Sequence, residues 1–282
     1  MIPELSESLV REIVARALAE DVGVGDVTTL ATVGEGRICR AEVIAKAEGV
    51  VAGLGVMETT FLARDGRVQF EALRGDGSTV TPGEVVARVS GSARALLTAE
   101  RTALNFLQRM SGIATLTARY VAAVAGTKAQ ILDTRKTAPG LRVLDKHAVR
   151  LGGGRNHRFG LFDGVLIKDN HIRAAGGLGA AIARARAIAH HLLRVEVEAQ
   201  DLVQVEQALL AKADVIMLDN MTLDEVREAV ALIGGRAQTE VSGGIALETV
   251  RAYAECGVDF ISVGELTHSP RALDFSLELT SE

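Results

Sequence analysis

This 282-residue chain has no tryptophan, and aromatic residues make up only 3% of it. Stacking platforms for single-stranded nucleic acid are built from such rings, so nucleic acid is not an expected partner. Cysteine is nearly as scarce. Cys39 and Cys256 have neither a metal-ligand spacing nor the makings of a disulfide framework, which leads us to expect reduced thiols and a cytoplasmic location. No apolar run approaches the roughly 18 residues that cross a bilayer, and no membrane association is expected. The opening stretch, MIPELSESLVREIVARALAED, carries acids throughout, and it lacks the basic start and apolar segment of a secretory signal.

Small and aliphatic residues are plentiful. Hydrophobic content is 48%, with 29 glycines, so the core must be filled with Ala, Val, Leu and Ile in the manner of α/β proteins. The length suits one large domain or two modest ones.

Residues 1–20 have a helical pattern with Leu9, Ile13, Val14 and Leu18 on one stripe, and GVGDVTT follows as a turn with capping residues. Between about 38 and 92 lie short alternating segments separated by DG, GDG and PG, as expected for a small, largely antiparallel unit. SARALLTAERTALNFLQRMSGIATLTARYVAAVA then predicts one long helix, or two broken near Ser111–Gly112.

Beyond residue 128 short apolar strands recur at AQILD, GVLIK, LRVEVE, DVIMLD, AQTEVS and DFISVG, with helical patterns between them. This rhythm signals βαβ units and a parallel sheet. The region is too short for eight units, which normally take about 250 residues. We therefore expect an α/β fold with an irregular, incomplete barrel, and a doubly wound open sheet as the alternative. The expected division is an N-terminal α/β sandwich-like domain over 1–112 and a barrel domain over 113–269, with 270–282 available as a final strand for the first.

Charge is distributed unevenly. The whole chain carries a net −5, yet Arg135 to Arg173 holds nine Lys/Arg and three histidines against three acids. Such a segment suits a cleft for a small, multiply anionic ligand. In α/β barrels the catalytic groups sit at the carboxyl ends of strands, and here those ends are polar: Asp133–Lys136, Lys168–Asn170, Glu198, Asp219–Asn220, Ser242–Gly244 and Gly264–Glu265. Alternation along VEVE places Glu196 and Glu198 on one face, where burial is costly unless they meet cations, metal or ligand hydroxyls.

Asp219 ends VIMLD abruptly, and its alternative role as a helix cap is already filled by Thr222. SGGI and SVGE put glycines directly after strands, where backbone amides can approach a phosphate. Arg135, Lys136, His157, Arg158 and Lys168 form the working cationic set. Arg142, Lys146, His147 and Arg150 read as solvated or helix-surface charges, and His171 as a turn cap. A barrel-strand lysine, Lys136 or Lys168, would also suit a Schiff-base aldolase. The VEVE strand and two phosphate loops count against that rival.

The ordered set GDVTT, LLTAERTALNFLQRMSGIAT, DTRKTAPGLR, GGGRNHR, LIKDNH, VEVE, MLDNM, VSGGI and SVGELTHS resembles the quinolinate phosphoribosyltransferases over almost the whole chain. The resemblance implies transfer of the phosphoribosyl group of phosphoribosyl pyrophosphate to quinolinate with decarboxylation, in NAD biosynthesis. It further implies Mg²⁺ as cofactor and a homodimer or higher oligomer. Arg135, His157, Arg158 and Lys168 would hold the quinolinate carboxylates, and Arg101 would reach them from the neighbouring subunit. Lys136 would contact the donor, with Thr134 and Ser242 completing the substrate-binding set. Glu198 and Asp219 would handle ribose hydroxyls and Mg²⁺, directly or through water. Gly243, Gly244 and Gly264 would take the 5-phosphate. Lys136, Glu198 and Asp219 are the implied catalytic residues. Glu265 departs from the family, which more often has a small residue there. An acid beside a phosphate loop disfavours the anion unless it points away.

Overall fold

The computed structural model describes residues 5–280, so residues 1–4 of the first expected helix and residues 281–282 of the last expected strand lie outside it. The chain divides into two compact units. One comprises residues 5–118, 137–153 and 266–280, and the other residues 119–136 and 154–265.

The first unit opens with α1 (Glu7–Val22), capped by Ser6, which accepts from the Leu9 amide; it buries Val10, Ile13, Val14 and Leu18 while Leu9 is half-buried. GDVTT is more than the expected turn. Asp26 accepts from the Thr29 amide at 2.9 Å and so starts a short helix, α2 (Val27–Thr32). There follow β1 (Ile38–Ala45), β2 (Gly49–Val50), α3 (Leu54–Arg64), β3 (Gln69–Ala72), β4 (Thr79–Val80), β5 (Val85–Ser92) and α4 (Ala93–Ala123), whose residues from 119 on belong to the other unit. β1 pairs antiparallel with β5 and, on its other edge, with the last strand of the chain, residues 275–280; β3 pairs with β5. The inward residues Ala41, Val43, Ala45, Ala87 and Val89 pack with Met57 and Phe61 of α3 and with Leu96, Leu104 and Leu107 of α4, making a sheet covered by helices.

Of the two expected alternatives the single long helix forms, with no break near Ser111–Gly112. Ser111 Oγ accepts from the Ala52 amide at 2.9 Å and donates to the Ala52 carbonyl. A Cβ on Gly112 would lie 2.1 Å from the Arg271 carbonyl oxygen, so this glycine admits a close backbone neighbour and does not end the helix. In the same unit, α5 (Arg142–Leu151) buries Asp145, which takes the Arg109 guanidinium at 2.9 and 2.8 Å and the Ala138 amide at 3.1 Å. Lys146, expected at the surface, is only 1% exposed. It lies on a helix that turns both Asp145 and Lys146 inward, which charge content alone does not reveal.

The second unit contains β6 (Gln130–Leu132), β7 (Val165–Ile167), α6 (Asp169–Ala175), α7 (Leu178–Ile188), β8 (Val195–Ala199), α8 (Leu202–Leu210), β9 (Val215–Asp219), α9 (Leu223–Ile233), β10 (Gln238–Ser242), α10 (Val250–Glu255) and β11 (Phe260–Ser262). α11 (Glu265–His268) and β12 (Phe275–Thr280) complete the chain. The six strands are parallel in the order β6-β11-β10-β9-β8-β7. From β8 to β11 each strand thus neighbours its predecessor in sequence, and β11 returns to pair with β6. That is barrel connectivity, and it rules out the doubly wound alternative, in which the strand order reverses at a switch point. The sheet has no ladder between β6 and β7. There Arg155 bridges Leu132, its amide donating to the Ile131 carbonyl at 2.8 Å, so loop 154–164 runs along the seam.

Candidate active site

Register alone gathers the acids. Glu198 pairs with Met217, Met217 with Glu240, and Asp219 with Ser242. Paired residues of parallel strands point to the same side and alternate residues share a face. Glu196, Glu198, Asp219, Glu240 and Ser242 therefore line one face, opposite Val195 and Val197. Glu196 and Glu198 are 8% and 7% exposed, and both valines are buried as well, as the VEVE pattern predicts for a barrel strand.

Lys168 directly follows β7 and pairs with Glu198, its Nζ donating to Oε1. His171 accepts from the Lys168 amide at 3.0 Å, which is the capping role expected of it. Thr222 likewise caps α9 in a reciprocal pair with Glu225, leaving the Asp219 side chain free of that duty. Arg158, in the seam loop, donates from Nη1 to the Gly164 carbonyl at 2.9 Å. Burial, then the nearby positive charge of Arg135, pull its pKa below the usual arginine value. Arg135 Nε is buried with no hydrogen-bond partner among the described residues. Two guanidiniums close enough to oppose each other's charge, one with a buried donor unmet, make a site for an anion. Lys136 is exposed beyond them, its amide held by Thr134 Oγ1 at 3.0 Å.

His157 and Glu196, both expected from the sequence, meet in a layer with Glu240, which sequence reasoning missed. His157 Nδ1 accepts from the Arg158 amide at 2.7 Å, and His157 Nε2 lies 3.0 Å from Glu196 Oε2 and 3.8 Å from Glu240 Oε1. Glu240, 2% exposed, accepts from Ser262 Oγ. Burial pushes Glu240 up to about 8, aided by the Glu196 charge, and pushes Glu196 up to about 7. Asp133, fully buried, accepts from the His157 amide at 2.8 Å and from Asn156 Nδ2 at 2.6 Å, fastening the seam loop to β6. A signal for Glu240 was present. TEVS repeats the VEVE pattern, an acid between β-branched residues that pack outward.

The glycines follow the same strand ends. Asn220 takes a left-handed φ of 57° and donates to the Ser242 carbonyl at 2.9 Å and, from Nδ2, to Asp219 at 3.0 Å. A Cβ on Gly243 would fall 2.2 Å from Asn220 Oδ1, and Gly243 and Gly244 have φ of 95° and 62°. Both positions therefore require glycine. Gly264 stands between β11 and α11. Glu265 turns to Tyr120, whose hydroxyl donates to it at 2.7 Å, so the family's departure at this position is committed to another partner.

Every site residue expected from sequence except Arg101 thus lies in this unit, at or beside the carboxyl ends of its strands. Arg101 is an exposed residue of α4 in the other unit. Glu198 and Asp219, carboxylates on one face of adjacent strands, offer the hard oxygen donors that Mg²⁺ takes. His157, Glu196 and Glu240 also bring ligand atoms within 4.8 Å of one another, and a hydrogen bond joins His157 to Glu196.

Residues 26–111 match the model of the quinolinate phosphoribosyl transferase N-terminal domain, and residues 113–278 that of its C-terminal domain. The chain is 47% identical to a probable nicotinate-nucleotide pyrophosphorylase (carboxylating) of Bacillus subtilis, over 93% of this chain and 90% of the relative. It is 44% identical to the Mycobacterium leprae nicotinate-nucleotide pyrophosphorylase (carboxylating), over 99% and 100% of the two chains. The crystal structure of NadC from Streptococcus pyogenes superposes with a TM-score of 0.94 at 44% identity, over 99% of each chain.

Proposed function

The chain belongs to the quinolinate phosphoribosyl transferase family, and on that premise we propose that it catalyses the reaction its relatives are named for. It transfers the phosphoribosyl group of phosphoribosyl pyrophosphate to the ring nitrogen of quinolinate with loss of one carboxylate. The products are nicotinate mononucleotide, carbon dioxide and pyrophosphate, and the reaction is a step of NAD biosynthesis. The observation that carries this reading is the stacking of like with like: Arg135, Arg158 and Lys168 at the strand ends, over buried carboxylates.

A dicarboxylate would satisfy the unmet Arg135 donor by a charge-assisted hydrogen bond and relieve the opposition between Arg135 and Arg158. The pyridine nitrogen attacks the anomeric carbon as the bond to pyrophosphate breaks. The ribosyl carbon acquires cationic character, which Glu198 and Asp219 stabilise electrostatically while holding the ribose hydroxyls. Amides of Gly243, Gly244 and Gly264 receive the 5-phosphate. In the decarboxylation, the bond from ring carbon 2 to its carboxylate breaks and its electron pair stays on the ring beside the pyridinium nitrogen. A proton then replaces carbon dioxide there, with Lys136 or Arg135 positioning the departing group. Mg²⁺ held near Glu198 and Asp219 would neutralise pyrophosphate charge.

We also assign a homodimer, or a higher oligomer built on it, in which Arg101 reaches the partner's quinolinate. Val24, Val27 and Leu30 are strongly exposed apolar residues. Thr98 and Thr102 of α4 bond Asp26, within that segment, and Asp21, just before it, so Arg101 stands beside the patch. Such a patch supports docking of a second copy. Both cysteines are free, and among the described residues no helix is long and apolar enough to cross a membrane, which supports a cytoplasmic placement.

The test is to incubate the purified protein with quinolinate, phosphoribosyl pyrophosphate and Mg²⁺ and to measure nicotinate mononucleotide. Product is expected with quinolinate and none with nicotinate in its place. No product with quinolinate defeats the reading.

A further inference from the structure

We propose that the amino-terminal end of the barrel, opposite the candidate active site, holds a second binding site whose ligand is a nucleoside diphosphate or triphosphate.

A cleft of about 930 Å³ lies there, within the second unit. Arg194 immediately precedes β8, Asp214 precedes β9, Gln238 begins β10 and Asp259 precedes β11, and all of them line it. These are the amino ends of strands whose carboxyl ends carry Glu198, Asp219 and Ser242, so the two sites share no residue. The volume falls in the range of small-molecule sites, about 300–1,000 Å³.

The charges of the cleft do not cancel. Asp214 accepts from the Val195 amide at 2.8 Å and pairs with Arg186 at 3.1 Å. Asp259 accepts from the Thr239 amide and hydroxyl, each at 2.8 Å, and pairs with Lys128 at 2.7 Å. Both acids are thus committed to a strand end and a cation. Arg194, Lys212 and Arg236 remain, exposed and with no acid partner among the described residues. Arg194 donates to the neutral Gln238 Oε1, and Arg236 to the Leu232 and Ile233 carbonyls at the end of α9. Like charges around one cleft repel, and a multiply charged anion among them turns that repulsion into attraction.

Lys212 stands out by its backbone. It has a left-handed φ of 58° in the turn that closes α8, where the Ala213 amide donates to the Ala208 carbonyl at 3.0 Å. Glycine suits such a position and lysine does not. The chain closes α9 with Gly234 at a φ of 54°, yet at the end of α8 it keeps an ammonium with no ion pair or side-chain hydrogen bond among the described residues. Strain retained where glycine would relieve it points to a role for the side chain. Leu209, Val230 and Ile233 give the same cleft an aliphatic wall. Cations for phosphates beside an aliphatic surface for a base fit a nucleoside polyphosphate better than a bare inorganic anion.

The experiment is calorimetric titration of the full chain with ADP, with adenosine as a second titrant and inorganic pyrophosphate as a competitor. Wild type should bind ADP saturably, with a Kd below about 1 mM, and adenosine at least about a hundredfold more weakly. Pyrophosphate should displace ADP only at a concentration about tenfold higher than ADP itself requires. Lys212→Gly should weaken ADP binding about tenfold, the loss of one charge-assisted contact, without lowering the melting temperature, because glycine relaxes the turn. Arg194→Gln should act in the same direction. Lys136→Ala, at the other ends of the strands, should leave the ADP affinity within about twofold of wild type. No saturable ADP binding by wild type overturns the proposal, and that result needs no variant to fold. So does an affinity that survives both Lys212→Gly and Arg194→Gln, or one that is lost in Lys136→Ala and so belongs to the active site. Equal affinity for adenosine, or displacement by pyrophosphate as readily as by ADP, overturns the ligand class. Binding is read without turnover, so these outcomes stand apart from whether nicotinate mononucleotide is formed.

Discussion

Lys168 donates to Glu198 across the β7–β8 ladder, so the cation assigned to quinolinate and the acid assigned to ribose are paired with each other. The pair is asymmetric. The lysine side chain is 47% exposed, whereas the glutamate side chain is 8% exposed. A substrate carboxylate can therefore reach the ammonium from outside, while Glu198 stays fixed in the barrel.

This asymmetry predicts a split in kinetics. Lys168→Ala should raise the quinolinate KM at least about tenfold, the loss of one charge-assisted contact of roughly 1.5–3 kcal/mol. Glu198→Gln should lower kcat about a hundredfold while moving the quinolinate KM less than about threefold. Steady-state kinetics with each substrate varied in turn checks both. An unchanged kcat in Glu198→Gln would remove the residue from the transition state.

Gly243→Ala should weaken phosphoribosyl pyrophosphate binding far more than quinolinate binding. Its Cβ would meet Asn220 Oδ1 at 2.2 Å in a left-handed backbone, so the turn must shift. We expect a rise of about tenfold in the donor KM at a near-normal quinolinate KM. Equal effects on both substrates would place the glycine outside the phosphate loop.

Arg109→Ala should lower stability by about 3 kcal/mol, because it strands Asp145, which has no exposure of its own. Replacing both residues by apolar ones of similar size should cost less than the single change. Denaturant unfolding of the three proteins decides the matter.

The buried acids give stability a pH slope of known sign. Glu240 ionises at 4.5 in an ordinary setting and near 8 here, so over that window the folded chain binds more protons than the unfolded one. Its contribution is full below about 4.5 and is lost as pH rises through about 8. Glu196 acts in the same direction up to about 7. Melting temperatures of Glu240→Gln should accordingly fall less steeply between pH 5 and 8 than those of wild type. A steeper fall would contradict the sign.

Much of the site was legible in sequence because strand alternation and strand-end position are local properties. VEVE announced two inward acids, VIMLD and SGGI marked their neighbours, and the cationic segment marked the other half of the site. His157 and Arg158 were found by type and company, but the ring's orientation was not. That orientation depends on which atoms of Glu196 on β8 and Glu240 on β10 meet it.

The sequence by itself determined the family, the reaction class, the α/β character and the barrel strands, since each rests on periodicity, composition or ordered motifs carried within a few residues. Only the tertiary structure decided that α4 runs unbroken past Gly112, that Lys146 is buried, that the barrel has its seam between β6 and β7, and that Glu240 belongs to the site. These depend on contacts between segments far apart in the chain, such as Gly112 with Arg271 and His157 with Glu196. No local pattern records which distant atom will stand a hydrogen bond away.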